Sequence, residues 1–147
     1  MTKTRIEHDF LGSLETPADA YWGIHTRRAI NNFSISGMKV NAGLIRSLAQ
    51  TKKACCLANA ETGHLPKEKA KAIENACDEI AAGKLCDQFP IDALQGGAGT
   101  STNMNMNEVI ANRAIELLDG QKGNYTIIHP LEMSICINPP TTFIQLQ

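Results

Sequence analysis

The sequence predicts a mainly α-helical chain, and three observations predict it. Apolar residues recur at helical spacing over 42–60 and again over 66–83; each run ends on a glycine-containing stop; a third periodic run follows a glycine-rich loop. At 147 residues, 43% hydrophobic and 20% charged, the chain has the size and composition of one packed domain. A formal net charge of -1 gives no attraction to nucleic acid or to an anionic membrane, so neither is expected as a partner. No long apolar span and no charged-then-apolar leader stand in the sequence, and a cytoplasmic location is expected. The cysteines, Cys55, Cys56, Cys77, Cys86 and Cys136, are odd in number and form no Cys-x-x-Cys pair. They read as reduced thiols rather than a disulfide framework or a metal site.

Arg5 to Gly12 alternates charged and apolar residues, and Pro17 to Gly23 breaks any regular element, which predicts an irregular, extended N-terminal arm and a turn. Arg27 and Arg28 read as a solvated basic pair, and His8 and His25 as structural histidines without spaced partners. From Ala42 to Ala60, Leu44, Leu48, Cys55 and Ala58 fall on one helical face while Arg46, Lys52 and Lys53 fall elsewhere. Thr62-Gly63-His64 ends that helix. Pro66 opens a second, whose buried face is Ala70, Ile73, Cys77 and Ile80 and which Gly83 closes. After a loop through Asp87-Gln88-Phe89-Pro90, the third helix runs to about Leu118.

The stretch that the chain presents is Gln95-Gly96-Gly97-Ala98-Gly99-Thr100-Ser101-Thr102-Asn103. Its glycines let backbone amides approach a ligand with no Cβ in the way, and the helix that follows directs unpaired N–H groups at the same spot. An anion belongs there. No Lys-Ser/Thr follows, as a P-loop requires, and Thr102 stands where a dinucleotide fingerprint needs its last glycine. The hydroxyls of Thr100, Ser101 and Thr102 suit a small carboxylate instead. Asn103, Asn105 and Asn107 are poor helix formers spread over different faces, so only Asn103, nearest the helix start, is a candidate for the site. The candidate binding residues are Gly99, Thr100, Ser101 and Asn103.

The run from Gly96 to Asn112, Gly-Gly-Ala-Gly-Thr-Ser-Thr-Asn-Met-Asn-Met-Asn-Glu-Val-Ile-Ala-Asn, resembles the first signature block of the aspartase/fumarase superfamily. Fumarases of that superfamily carry Thr-Gly-Ser-Gly-Thr where this chain has Gly96-Gly97-Ala98-Gly99-Thr100, which points to the aspartate ammonia-lyase branch. Arg5 to Gly12, Pro17 to Gly23, Thr26 to Ala29 and Asn32-Phe33 resemble the N-terminal arm of aspartases. The resemblance implies the N-terminal domain of that helical fold over 1–132, with the central helical bundle absent. It also implies L-aspartate and fumarate as ligands, no cofactor, and a homotetramer whose active sites draw on several subunits, where Arg27 and Arg28 could face the dianionic substrate. His129-Pro130 resembles a pair that precedes a second anion loop in the family, so His129 is a further candidate. Leu131 and Glu132 replace small polar residues there, and Glu132 would repel an anion, so that second site is expected to be missing.

From Met133 the resemblance stops, and 133–147 has neither helical nor strand periodicity. A permitted codon choice for this tail, read one base earlier with C in front, gives His-Val-Asn-Met-Tyr-Gln-Ser-Thr-Asn-Asp-Val-Tyr-Pro-Thr-Ala, which resembles the family's next signature. One nucleotide lost near the Glu132 codon would explain it. In the family the base is a serine on a mobile loop beyond this chain, which implies an inactive fragment; a fumarase-like fragment and a non-catalytic binding module are the alternatives.

Overall fold

The computed structural model describes residues 3–131. Within them the chain forms β1 (Thr4–Asp9), β2 (Gly12–Pro17), α1 (Ile24–Asn32), α2 (Ala42–Glu61), α3 (Lys67–Ala81), a 3-10 turn (Cys86–Gln88) and α4 (Thr100–Leu117). Glu132, Cys136 and the rest of the tail lie outside the described residues.

Helix α4 is the hub. It packs on α1, α2 and α3, and Met106, Val109, Ile110, Ala111, Ala114 and Ile115 are fully buried. A helix apolar on more than one face is stable only when covered on all of them, and three helices supply the cover. Arg113 ties α4 to α3 through a bidentate pair with Glu79, Nε–Oε2 2.6 Å and Nη2–Oε1 2.9 Å.

Helices α2 and α3 form the expected hairpin, and Ala70, Ile73, Cys77 and Ile80 are buried as the sequence predicts. Pro66 caps α3 rather than occupying its first turn, so the helix starts at Lys67. α2 is turned about its axis relative to expectation. Its buried residues are Ile45, Ala49, Lys52 and Cys56, whereas Leu44 is 56% exposed, Cys55 only half-buried and Ala58 exposed. Both stripes have helical spacing; the small Ala49 and Cys56 allow the closer approach of α3, where the Cys56 thiol donates to Ala70 O at 3.5 Å. That rotation carries Lys52 inside. Its Nζ has no partner among the described residues, and burial lowers its pKa. Burial also pushes the Cys56 thiol up to about 11 and Cys77 up to about 12, so both are protonated core residues. The four described cysteines are free thiols.

The N-terminal arm is extended but not irregular. β1 and β2 pair antiparallel from Thr4↔Pro17 to Asp9↔Gly12 around a tight turn at Phe10 and Leu11. The hairpin buries Glu7 and Thr16 and exposes Ile6, Phe10 and Leu11, the reverse of an ordinary amphipathic strand. α1 is a second difference, since 24–32, a nine-residue segment in which only Ile24, Ala29 and Ile30 are apolar, reads from the sequence as part of the arm.

Asp92 fastens the crossing from α1 to α2 onto the loop before α4. Its carboxylate accepts from the backbone amides of Ile35, Ser36, Gly37 and Leu94 and from Ser36 Oγ at 2.6 Å. The Ser36 hydroxyl and these amides hold its pKa well below the ordinary carboxylate value. The stability that follows is present above the unfolded pKa near 4 and is lost as pH falls toward the folded value. Asp92→Asn is therefore expected to give a shallower loss of stability than the parent between about pH 4 and about pH 2 in chemical denaturation. Parallel profiles would exclude this contribution.

Candidate functional site

The site is built on the first turn of α4. Gly99 caps the helix at φ +83°, in the left-handed region that favours glycine, and no side chain of its own caps it. Gln95 reaches across instead: its Oε1 accepts from Thr102 N at 3.0 Å and its Nε2 donates to Thr102 Oγ1 at 2.7 Å. Asn103 N bonds to Gly99 O at 3.0 Å. The amides and hydroxyls of Thr100 and Ser101 make no hydrogen bond among the described residues. Two N–H and two O–H donors are thus left at the positive end of a long helix.

These donors open onto a cleft of about 500 Å3 that Thr100, Ser101 and Met104 line from one side. α1 forms the facing wall with His25, Arg28 and Asn32, spaced by three and four residues on one helical face. The expectation of a solvated arginine pair is overturned. Arg28 makes a bidentate pair with Asp9, Nε–Oδ2 2.7 Å and Nη2–Oδ1 2.6 Å, and this pairing lowers the Asp9 pKa. Arg27 donates to Glu15 O at 3.1 Å and lies over the Trp22 ring at 5.5 Å. Leu11, Leu14, Phe33 and Met104 give the cleft apolar walls as well, and the unpaired donors at Thr100 and Ser101 are the part of it suited to an anion.

What places α1 against the cleft is a pair of buried carboxylates. Glu108, two turns along α4 from Thr100, accepts from Gly23 N at 2.9 Å, His25 N at 2.8 Å, Thr26 N at 3.0 Å and Thr26 Oγ1 at 2.6 Å. Glu7 from β1 takes the remaining amide of that turn, Ile24 N, at 2.8 Å, and the Tyr125 hydroxyl at 3.0 Å. The unpaired amides that begin a helix are thereby satisfied from elsewhere in the chain. Burial pushes the Glu108 carboxyl up while its four donors favour the ionised form. Arg5 Nε bonds to Glu7 at 2.8 Å, and its Nη1 and Nη2 hold Ala20 O and Trp22 O at 2.7 and 2.8 Å. Gly23 sits in the middle, where an added Cβ would lie 2.4 Å from Glu7 Oε2 and 2.5 Å from the Tyr125 hydroxyl.

Of the residues that the sequence singled out, Thr100 and Ser101 meet in the cleft with Gly99 adjoining. Asn103 is half-buried and does not line it. His129 also lies outside the lining; its ring is edge-on to Tyr125 at 5.9 Å, and its Nδ1 accepts from Leu131 N at 3.0 Å. Asn105, which the sequence places on another face of the helix, donates to Gln88 O at 3.0 Å. Sequence reasoning missed the α1 wall, and the spacing of His25, Arg28 and Asn32 is the signal that could have found it. No group of His, Cys, Asp and Glu suited to a metal occurs among the described residues.

Comparison with known proteins places this geometry in a family. A family profile described as Lyase matches residues 12–133. An aspartate ammonia-lyase of Bacillus sp. is 55% identical over 129 residues, covering 88% of this chain and 28% of that protein. A class II fumarate hydratase of Thermosynechococcus vestitus is 50% identical over 135 residues, covering 92% of this chain and 29% of that one. The crystal structure of a protein described as fumarate lyase:delta crystallin from Brucella melitensis superposes with a TM-score of 0.88 at 51% identity, over 90% of this chain and 31% of that chain in its native form. This sequence therefore spans less than a third of the length of these relatives. A profile match over most of the chain, with the Thr100 turn and the α1 wall inside the matched region, means that the chain belongs to the lyase family.

Proposed function

We propose that residues 1–132 are the N-terminal domain of an aspartate ammonia-lyase, and that the first turn of α4 holds a carboxylate of L-aspartate and fumarate. The observation that carries this reading is the unpaired set of donors at Thr100 and Ser101 facing an open cleft. Removal of a proton from the carbon beside the β-carboxylate leaves that group as a doubly charged aci-carboxylate, after which the C–N bond breaks and ammonia departs. Fixed hydroxyl and amide donors stabilise the second charge more than the first, which is where rate enhancement arises. No cofactor takes part. Gly99 sets the turn, and Thr100 and Ser101 donate; Asn103 and His129, which lie outside the cleft lining, take no direct part. Arg28 orients the α1 wall while paired to Asp9.

In this reading the base and the Ser-Thr-Asn-Asp loop are encoded in the frame shifted from Met133, outside residues 1–132. The working enzyme is a cytoplasmic homotetramer; exposed Leu44, Leu57 and Leu94 are apolar surface that such assembly would cover. The class II fumarate hydratase at 50% identity favours a second reading, water addition to the same fumarate skeleton. The test begins with the DNA across the codons of 128–147, followed by assay of the frame-restored protein. Fumarate release from L-aspartate with none from L-malate is the expected result. Turnover of L-malate alone would replace the ammonia-lyase reading, and no lyase sequence in any frame would remove the restored-frame account.

A further inference from the structure

A second concavity shares no residue with the cleft. A groove of about 190 Å3 opens between the start of α2, the end of α3 and the 3-10 turn. Its floor is apolar, with Ile45, Ile80 and Phe89 at 6%, 2% and 4% exposure. Its rim carries Lys39, Arg46 and the exposed thiol of Cys86. Both cations are exposed, and neither side chain has a hydrogen bond or ion pair among the described residues. The acids around them are engaged elsewhere. Asp92 serves the amides of 35–37 and Leu94, Asp87 accepts from Gln88 Nε2 at 2.7 Å, and Glu79 holds Arg113.

An apolar floor beneath two unneutralised cations matches an anion with an apolar body, because each part of the ligand leaves water for a partner of its own kind. A cavity of about 150 Å3 accommodates a benzene ring, so this one has room for a single ring or a short alkyl chain. We propose that the groove binds small aryl- or alkyl-carboxylates, with the apolar body on Ile45, Ile80 and Phe89 and the carboxylate on Lys39 and Arg46. The site is independent of the lyase reading and stands or falls without it.

The test uses the 147-residue chain and 4-phenylbutyrate as probe. Calorimetry measures binding, and the rate of Cys86 alkylation by iodoacetamide, followed by peptide mass spectrometry, reports where the probe sits. Saturable binding is expected, together with a slowing of Cys86 alkylation by about threefold or more at saturation, since the thiol lines the groove. The neutral amide of the same probe is expected to bind about tenfold more weakly. The double variant Lys39→Gln/Arg46→Gln alters two exposed, unpaired side chains and is expected to keep the parent's melting temperature while binding about tenfold more weakly. Absence of heat and of Cys86 protection up to about 10 mM probe would overturn the proposal. Equal binding of acid and amide, or binding undiminished in the double variant, would overturn it as well.

Discussion

Glu108→Ala is expected to lower the stability of this chain by about 4 kcal/mol, the largest effect of any single substitution considered for it. The carboxylate receives four donors, three of them backbone amides of the first turn of α1, and its side chain is almost wholly buried. Truncation leaves those amides without acceptors in a site too enclosed for bulk water. Each stranded buried group costs about 1–3 kcal/mol, and partial relaxation of α1 keeps the total below the sum. Glu108→Gln keeps the shape and one acceptor oxygen but turns an NH2 toward donors, so a loss of about 2 kcal/mol is expected. Gly23→Ala attacks the same cluster from its centre, since its new Cβ would overlap both Glu7 Oε2 and the Tyr125 hydroxyl. For a chain of this length about 4 kcal/mol corresponds to a fall of roughly 10 °C in Tm, readable by circular dichroism. A Glu108→Ala chain within about 1 kcal/mol of the parent would show that α1 does not depend on this carboxylate.

Thr100→Val in the frame-restored enzyme is expected to lower kcat/KM for L-aspartate by about a hundredfold. The hydroxyl is one of the donors left unpaired on the cleft, and loss of a single donor to a developing oxyanion costs about 3 kcal/mol. Valine keeps the branched shape, and the side chain is exposed, so stability should move little. The loss should fall mainly on kcat, because the hydroxyl is most valuable when the carboxylate carries its second charge. Stopped-time or continuous absorbance of fumarate measures it. A Thr100→Val enzyme within about threefold of the parent would remove that hydroxyl from the mechanism, while a rise in KM at constant kcat would assign it to ground-state binding.

Local pattern carried a large part of this fold. Helical spacing and stop signals are properties of neighbouring residues, which is why α2, α3 and α4 and the glycine turn before Thr100 were legible within a few residues of their ends. The same run of residues from Gly96 to Asn112 carried the family resemblance, and the profile match over 12–133 agrees with it. Pattern did not choose between the two apolar stripes of α2, because Leu44 and Ile45 begin equally good helical series; packing against α3 chose the one that buries Lys52. Nor did it reveal α1. That helix is only nine residues long and has no capping side chain of its own, and its start is held by Glu7 and by Glu108, the latter 82 to 85 residues away in sequence. Read locally, Glu108 is one more acid inside a helix, and Glu7 is a charge in an alternating arm. Only when the tertiary structure brings both carboxylates to the same turn do they become a cap, and only that cap sets His25 and Arg28 opposite Thr100. The sequence by itself thus determined the donor turn and its family, since both reside in contiguous residues. The facing wall of the cleft was decided by contacts between segments far apart in the chain, which no local periodicity encodes.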